Sequence, residues 1–131
     1  MKEEYTDTIV ELFYLVIIAD GEVDPKELEM GRSMARIEGL DSTEFENGVA
    51  KLIKDGREVY ADCVSGLKKL TQDSQVKFLA WMCLIANADG FMHNKEWDII
   101  YKLYHKELKL DRQSILDHQF KLNQKLRGYQ F

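Results

Sequence analysis

The chain has 131 residues, 45% hydrophobic and 31% charged, enough for one domain built around a single core. One proline and eight glycines exclude a long disordered linker. The formal charge of -5 disfavours a nucleic-acid partner, because phosphate binding needs a basic footprint, and is compatible with cation binding without specifying it.

The opening "MKEEYTD" lacks a positive segment followed by an apolar one, so no secretory signal is expected. The longest nearly apolar stretch, residues 9–19, is interrupted by Glu11 and falls short of the roughly 20 residues that span a bilayer. A soluble, cytoplasmic chain without membrane insertion is expected. Cys63 and Cys83 each sit in an apolar helical pattern and read as free buried thiols.

Helical periodicity runs through nearly the whole chain. Tyr5, Ile9, Leu12, Phe13 and Val16 mark one face of the first helix; Leu15, Ile17 and Ile18 make its end apolar all round, which predicts central burial. Asp24, Pro25 and Glu27 spell the start of a second helix, which Gly39 ends. Asp41, three positions before Glu44, opens a third, and Gly56 interrupts it. Tyr60, Cys63, Val64, Leu67 and Leu70 give a short amphipathic helix. Thr71 caps a fifth helix whose segment 76–86, "VKFLAWMCLIA", again predicts central burial, with Trp81 filling the core. Trp97, Ile100, Tyr101, Tyr104 and Leu108 line a sixth, on which Trp97 and His105 are expected to pack. Asp111 caps the last, whose packed face uses Ile115, Leu116, Phe120, Leu122 and Leu126. The prediction is an all-α single domain of residues 1–131: a compact bundle of about seven helices with two buried central ones.

The two central helices both end in Ala-Asp-Gly. Ala19, Asp20, Gly21, Lys26 and Glu27 match Ala88, Asp89, Gly90, Lys95 and Glu96 at one constant offset, which predicts two related helix-loop-helix units. If the central helices pair antiparallel, the loops lie at opposite ends; if they cross or run parallel, the loops meet. An EF-hand is excluded. Counting from Asp20, position six is Pro25 and position twelve Gly31, and from Asp89 they are Asn94 and Ile100, where such a loop needs glycine and a bidentate glutamate.

Two readings of the repeated acids remain. In one, Asp20 and Asp89 bond local backbone amides, Gly21 and Gly90 take positive φ, and Glu27 and Glu96 reach back to the cap residues. In the other, Asp20, Glu27, Asp89 and Glu96 also converge on a divalent cation, since hard cations want several carboxylate oxygens. His93, His105 and His118 share no ligand spacing, and no Cys-x-x-Cys pair, nucleophile elbow or phosphate loop occurs, so no catalytic residue is predicted. The basic end, "KLNQKLRGYQF", reads as a solvated helix terminus that can also face an acidic partner.

The paired Ala-Asp-Gly loops, each followed by a helix with glutamate near its start, resemble the TerB family of tellurite-resistance proteins over about residues 5–110; a related domain occurs in a membrane-anchored DnaJ-like co-chaperone. The resemblance implies a compact all-helical domain, no enzymatic activity, an association with tellurite resistance and stress responses, and a divalent-metal site (calcium, magnesium or manganese). By position that site is Asp20 and Glu27 with Asp89 and Glu96. The chain departs in its second loop, where Phe91 and His93 replace residues more typically small or polar. The alternative is a protein-interaction module, with partner proteins or further copies of the chain, whose acids only cap helices.

Overall fold

A computed structural model describes residues 2–19, 21–88, 90 and 93–129. The described residues form helices only: α1 (Lys2–Ile17), α2 (Pro25–Ile37), α3 (Ser42–Asp55), α4 (Tyr60–Lys68), α5 (Gln72–Ala86), α6 (Asn94–Tyr101) and α7 (Arg112–Tyr129). A π-helical turn, Lys102–Glu107, prolongs α6. No helix among the described residues is long and apolar enough to cross a membrane.

The capping residues act as their chemistry requires. A side-chain oxygen placed before the first turn satisfies an amide that the helix itself leaves unpaired. Asp24 accepts from Lys26 N at 2.7 Å, Asp41 from Glu44 N at 3.0 Å, Thr71 from Ser74 N at 3.2 Å and Asp111 from Ser114 N at 3.3 Å. At the other end of α2, Leu40 N donates to Ala35 O and Gly39 N to Arg36 O, a paired closure that ends the helix at Ile37.

Helices α1 and α5 form the centre. Ile9, Leu12, Phe13, Val16 and Ile17 of α1 are fully buried, and every residue from 78 to 86 of α5 is buried. Around α1 pack α3, α4, α5 and α6; around α5 pack α7, α2, α6 and α1. Each large apolar side chain taken from water contributes about 1.5–3 kcal/mol, so this pair dominates the stability of the bundle. Trp81 is fully buried, and Cys63 and Cys83 are free thiols inside the core.

Three expectations are corrected. Helix α6 does not continue as an α-helix to Leu108: Leu108 N donates to Leu103 O, one residue further back than the α pattern, and Lys109 turns the chain with φ 52°. That change of register leaves the apolar spacing almost untouched, so periodicity does not reveal it. His105 is exposed and stacks on Tyr101 (centroids 4.8 Å apart, planes 22°) instead of packing inward. On α7, Ile115 and Leu122 face the core, but Leu116 and Phe120 are 44% and 65% exposed.

Candidate functional site

The chemistry-bearing motif of the sequence sits at two helix junctions, α1 to α2 and α5 to α6. Gly21 and Gly90 both have positive φ, 87° and 107°, the left-handed backbone that lets the chain reverse after each central helix. Of the four acids expected at a metal site, Asp20 and Asp89 lie outside the described residues. Glu27 and Glu96 are described, and both stand in the first turn of their helices.

Their burial is unusual for capping residues. Glu27 is 2% exposed and Glu96 is 0% exposed. Glu96 Oε1 accepts from the backbone N–H of His93 at 3.2 Å, so one oxygen closes the start of α6. Its Oε2 is buried with no hydrogen-bond partner among the described residues. A cap needs one oxygen, and the other normally faces water. A carboxylate oxygen withdrawn from water without a donor is costly unless a positive charge or a proton meets it.

The two junctions share one end of the molecule. A cleft of about 380 Å³ is lined by Lys26, Glu29, Met30 and Ser33 of α2 together with Ala88. A second, of about 520 Å³, is lined by Lys95, Asp98, Ile99 and Lys102 together with Ala19. The four α2 residues match the four later ones at the same offset that relates Ala19 to Ala88. Each cleft therefore combines the alanine in the turn after one central helix with the helix that follows the other junction. Of the two topological alternatives, the one in which the junctions approach each other holds.

The donors that Glu27 and Glu96 offer are hard carboxylate oxygens. Among the described residues no three His, Cys, Asp or Glu side chains group closely enough to hold an ion. Two carboxylates alone supply fewer oxygens than a hard divalent cation takes. The buried Oε2 of Glu96 fits a cation ligand, because it is the kind of acceptor that a hard divalent ion satisfies.

Two further features were not legible in the sequence. Beside the second junction, the Tyr60 hydroxyl donates to Glu107 Oε2 at 2.7 Å, and the Lys102 ammonium lies 4.5 Å from the Tyr60 ring centroid. Burial first, and then the hydrogen bond to Glu107, raise the Tyr60 phenol well above its ordinary value. This lock joins α4 to the π-helical turn, a kind of irregularity frequent at functional sites. On the opposite flank of α6, Cys83, Asn87, Trp97, Tyr104, Arg112 and Leu116 line a cleft of about 200 Å³. The Arg112 guanidinium lies 5.7 Å from the Trp97 ring centroid, and Trp97 is half-buried and packed against the core, as expected. These groups come from α5, α6 and α7, so no local spacing announces them.

No family model, no characterised protein and no solved structure matches the chain.

Proposed function

We propose that the chain is a non-catalytic TerB-like domain of the cytoplasm, in which two acidic junctions hold a divalent cation in the service of tellurite resistance or a related stress response. The observation that carries this reading is the near-complete burial of Glu27 and Glu96. Capping alone favours a glutamate at this position but gives no reason to bury it twice. The exchanged alanines of the two clefts support the companion idea of two related units whose acids approach one another. Glu27 and Glu96, with Asp20 and Asp89, would be the ligands. A calcium, magnesium or manganese ion would neutralise their charge and tie the start of α2 to the start of α6.

The test is a titration of metal-stripped protein with each of these ions, followed by heat and by thermal stability, beside the double variant Glu27→Gln with Glu96→Gln. A ligand that binds only the folded state adds about 2.7 kcal/mol at a hundredfold excess over its dissociation constant. Stabilisation of the parent and not of the variant is expected. Absence of any binding at millimolar ion, with the variant less stable than the parent, would leave the acids as structural caps.

The second reading, a protein-interaction module, is favoured by a different observation. The cleft lined by Trp97 opens beside the exposed Leu116 on α7, one turn from the still more exposed Phe120.

A further inference from the structure

Helix α7 presents one fully solvent-facing stripe: Gln113, Leu116, Asp117, Phe120, Lys121 and Gln124 are all exposed and recur at helical spacing. Its centre is apolar. Phe120, 65% exposed, is the most exposed of the large apolar side chains described, and Leu116, one turn earlier, is 44% exposed. Leu116 is also on the rim of the cleft formed with Trp97, Tyr104 and Cys83. A knob and a hollow thus lie side by side on one face. The hollow, about 200 Å³, is ample for one aromatic ring; dry cavities on the order of 150 Å³ take up benzene.

The charges on the stripe select the occupant. Asp117 and Lys121 flank the apolar pair on the same face. If two copies of α7 cross antiparallel about a two-fold axis level with His118 and Gln119, each Asp117 meets the Lys121 of the other copy. The same operation sets each Phe120 against the other copy's Leu116, at the mouth of its cleft. A two-fold contact must use one patch twice and so must be self-complementary, and this patch is, in both shape and charge. We infer that the Leu116–Phe120 face of α7 is the contact surface of a symmetric homodimer, with Phe120 of each copy seated against the Trp97 cleft of the other.

The surface is small. One helix face and one anchored ring correspond to the low end of specific interfaces, under about 1,200 Å² in total, which indicates a reversible dimer at micromolar or higher concentration. The aromatic anchor supplies the affinity, and the two rim charge pairs supply the register.

The experiment is sedimentation equilibrium of the full chain over a wide concentration range, beside four variants: Phe120→Asp, Asp117→Lys, Lys121→Asp, and the last two combined. All three positions are exposed, so circular dichroism and thermal midpoint should match the parent. The parent is expected to dimerise with concentration and Phe120→Asp to remain monomeric. Each single charge reversal should weaken association at least tenfold, and the combined reversal should restore most of it, because the pairs re-form with opposite sense. A parent monomeric up to near-millimolar concentration overturns the proposal and leaves the face for a different protein. A dimer indifferent to Phe120→Asp overturns it equally, by placing the contact elsewhere. Failure of the combined reversal to rescue refutes the antiparallel two-fold pairing.

Discussion

The indole Nε1 of Trp81 donates a 2.8 Å hydrogen bond to Oε2 of Glu38, joining the centre of α5 to the residue that caps the C-terminus of α2. The other carboxylate oxygen of Glu38 holds the Lys77 ammonium at 2.9 Å. Burial alone would lower the Lys77 pKa; the Glu38 carboxylate and the Tyr5 hydroxyl outweigh it and raise it. One carboxylate thus satisfies the largest fully buried side chain and a half-buried cation at once. Removing it by Glu38→Ala strands the indole N–H in the core. The expected loss is about 1–3 kcal/mol, read as a lower midpoint in chemical denaturation. Glu38→Gln keeps an acceptor for the indole and should lose less; equal losses would show that the Lys77 charge pair carries the effect.

Helices α1 and α4 approach closely because residue 66 has no side chain. A Cβ added at Gly66 would overlap Thr8 Oγ1 and lie 3.1 Å from Thr8 Cβ. Thr8 is 6% exposed and β-branched, so it has little freedom to turn away. Alanine normally gains about 1 kcal/mol over glycine inside a helix. Here overpacking of typically 1–3 kcal/mol should outweigh that gain, and Gly66→Ala should be destabilising on thermal melting. A companion Thr8→Ala in the same chain should recover much of the loss by vacating the space.

The two thiols give a labelling and a pH prediction. Burial pushes Cys63 from the ordinary 9.0 up to about 12, with Glu11 adding to the effect, and burial pushes Cys83 up to about 11. Only thiolate reacts with alkylating reagents, so native protein at pH 8 should label far more slowly than urea-unfolded protein. The folded state keeps its thiol protons where the unfolded chain releases them. This contribution to stability is therefore complete below about pH 9 and is lost as pH rises through about 11 to 12. Denaturation midpoints measured from pH 8 to pH 11 should fall, and the fall should be shallower in Cys63→Ala.

Glu96 provides a prediction in which stability and ion binding separate. In metal-free protein, Glu96→Gln removes a buried charge while leaving an acceptor for the His93 amide at the start of α6. It should leave stability unchanged or raised, since an unpaired buried charge is a cost. In the presence of saturating calcium or manganese the order should reverse, with the parent the more stable. Differential scanning calorimetry with and without the ion reads both halves. A Glu96→Gln protein that is less stable than the parent in both conditions would mark the carboxylate as a purely structural cap.

Much of the molecule was legible in advance because helix grammar is local. Asp24, Asp41, Thr71 and Asp111 cap helices where their spacing places them, and Gly56 ends α3. The two stretches apolar on every side became the two central helices, since only central burial removes such surfaces from water. The π-helical turn escaped because inserting one residue into a turn alters hydrogen bonding more than apolar spacing. The exposure of Phe120 escaped for a related reason. Its spacing from Ile115 and Leu122 is compatible with one broad apolar face, and which edge of that face meets α5 depends on how α7 is rotated against it.

The repeated acids show the same division. By itself the sequence determined that each central helix ends in Ala-Asp-Gly and that each following helix carries a glutamate in its first turn. Those are properties of neighbouring residues, governed by backbone amides and turn conformations a few positions apart. Only the tertiary structure decided that the two junctions share one end of the bundle, that Ala88 adjoins α2 while Ala19 adjoins α6, and that Glu27 and Glu96 are withdrawn from water. Burial and proximity between distant segments follow from how the central helices cross. That crossing is set by the summed packing of side chains spread over the whole chain, which no local pattern contains.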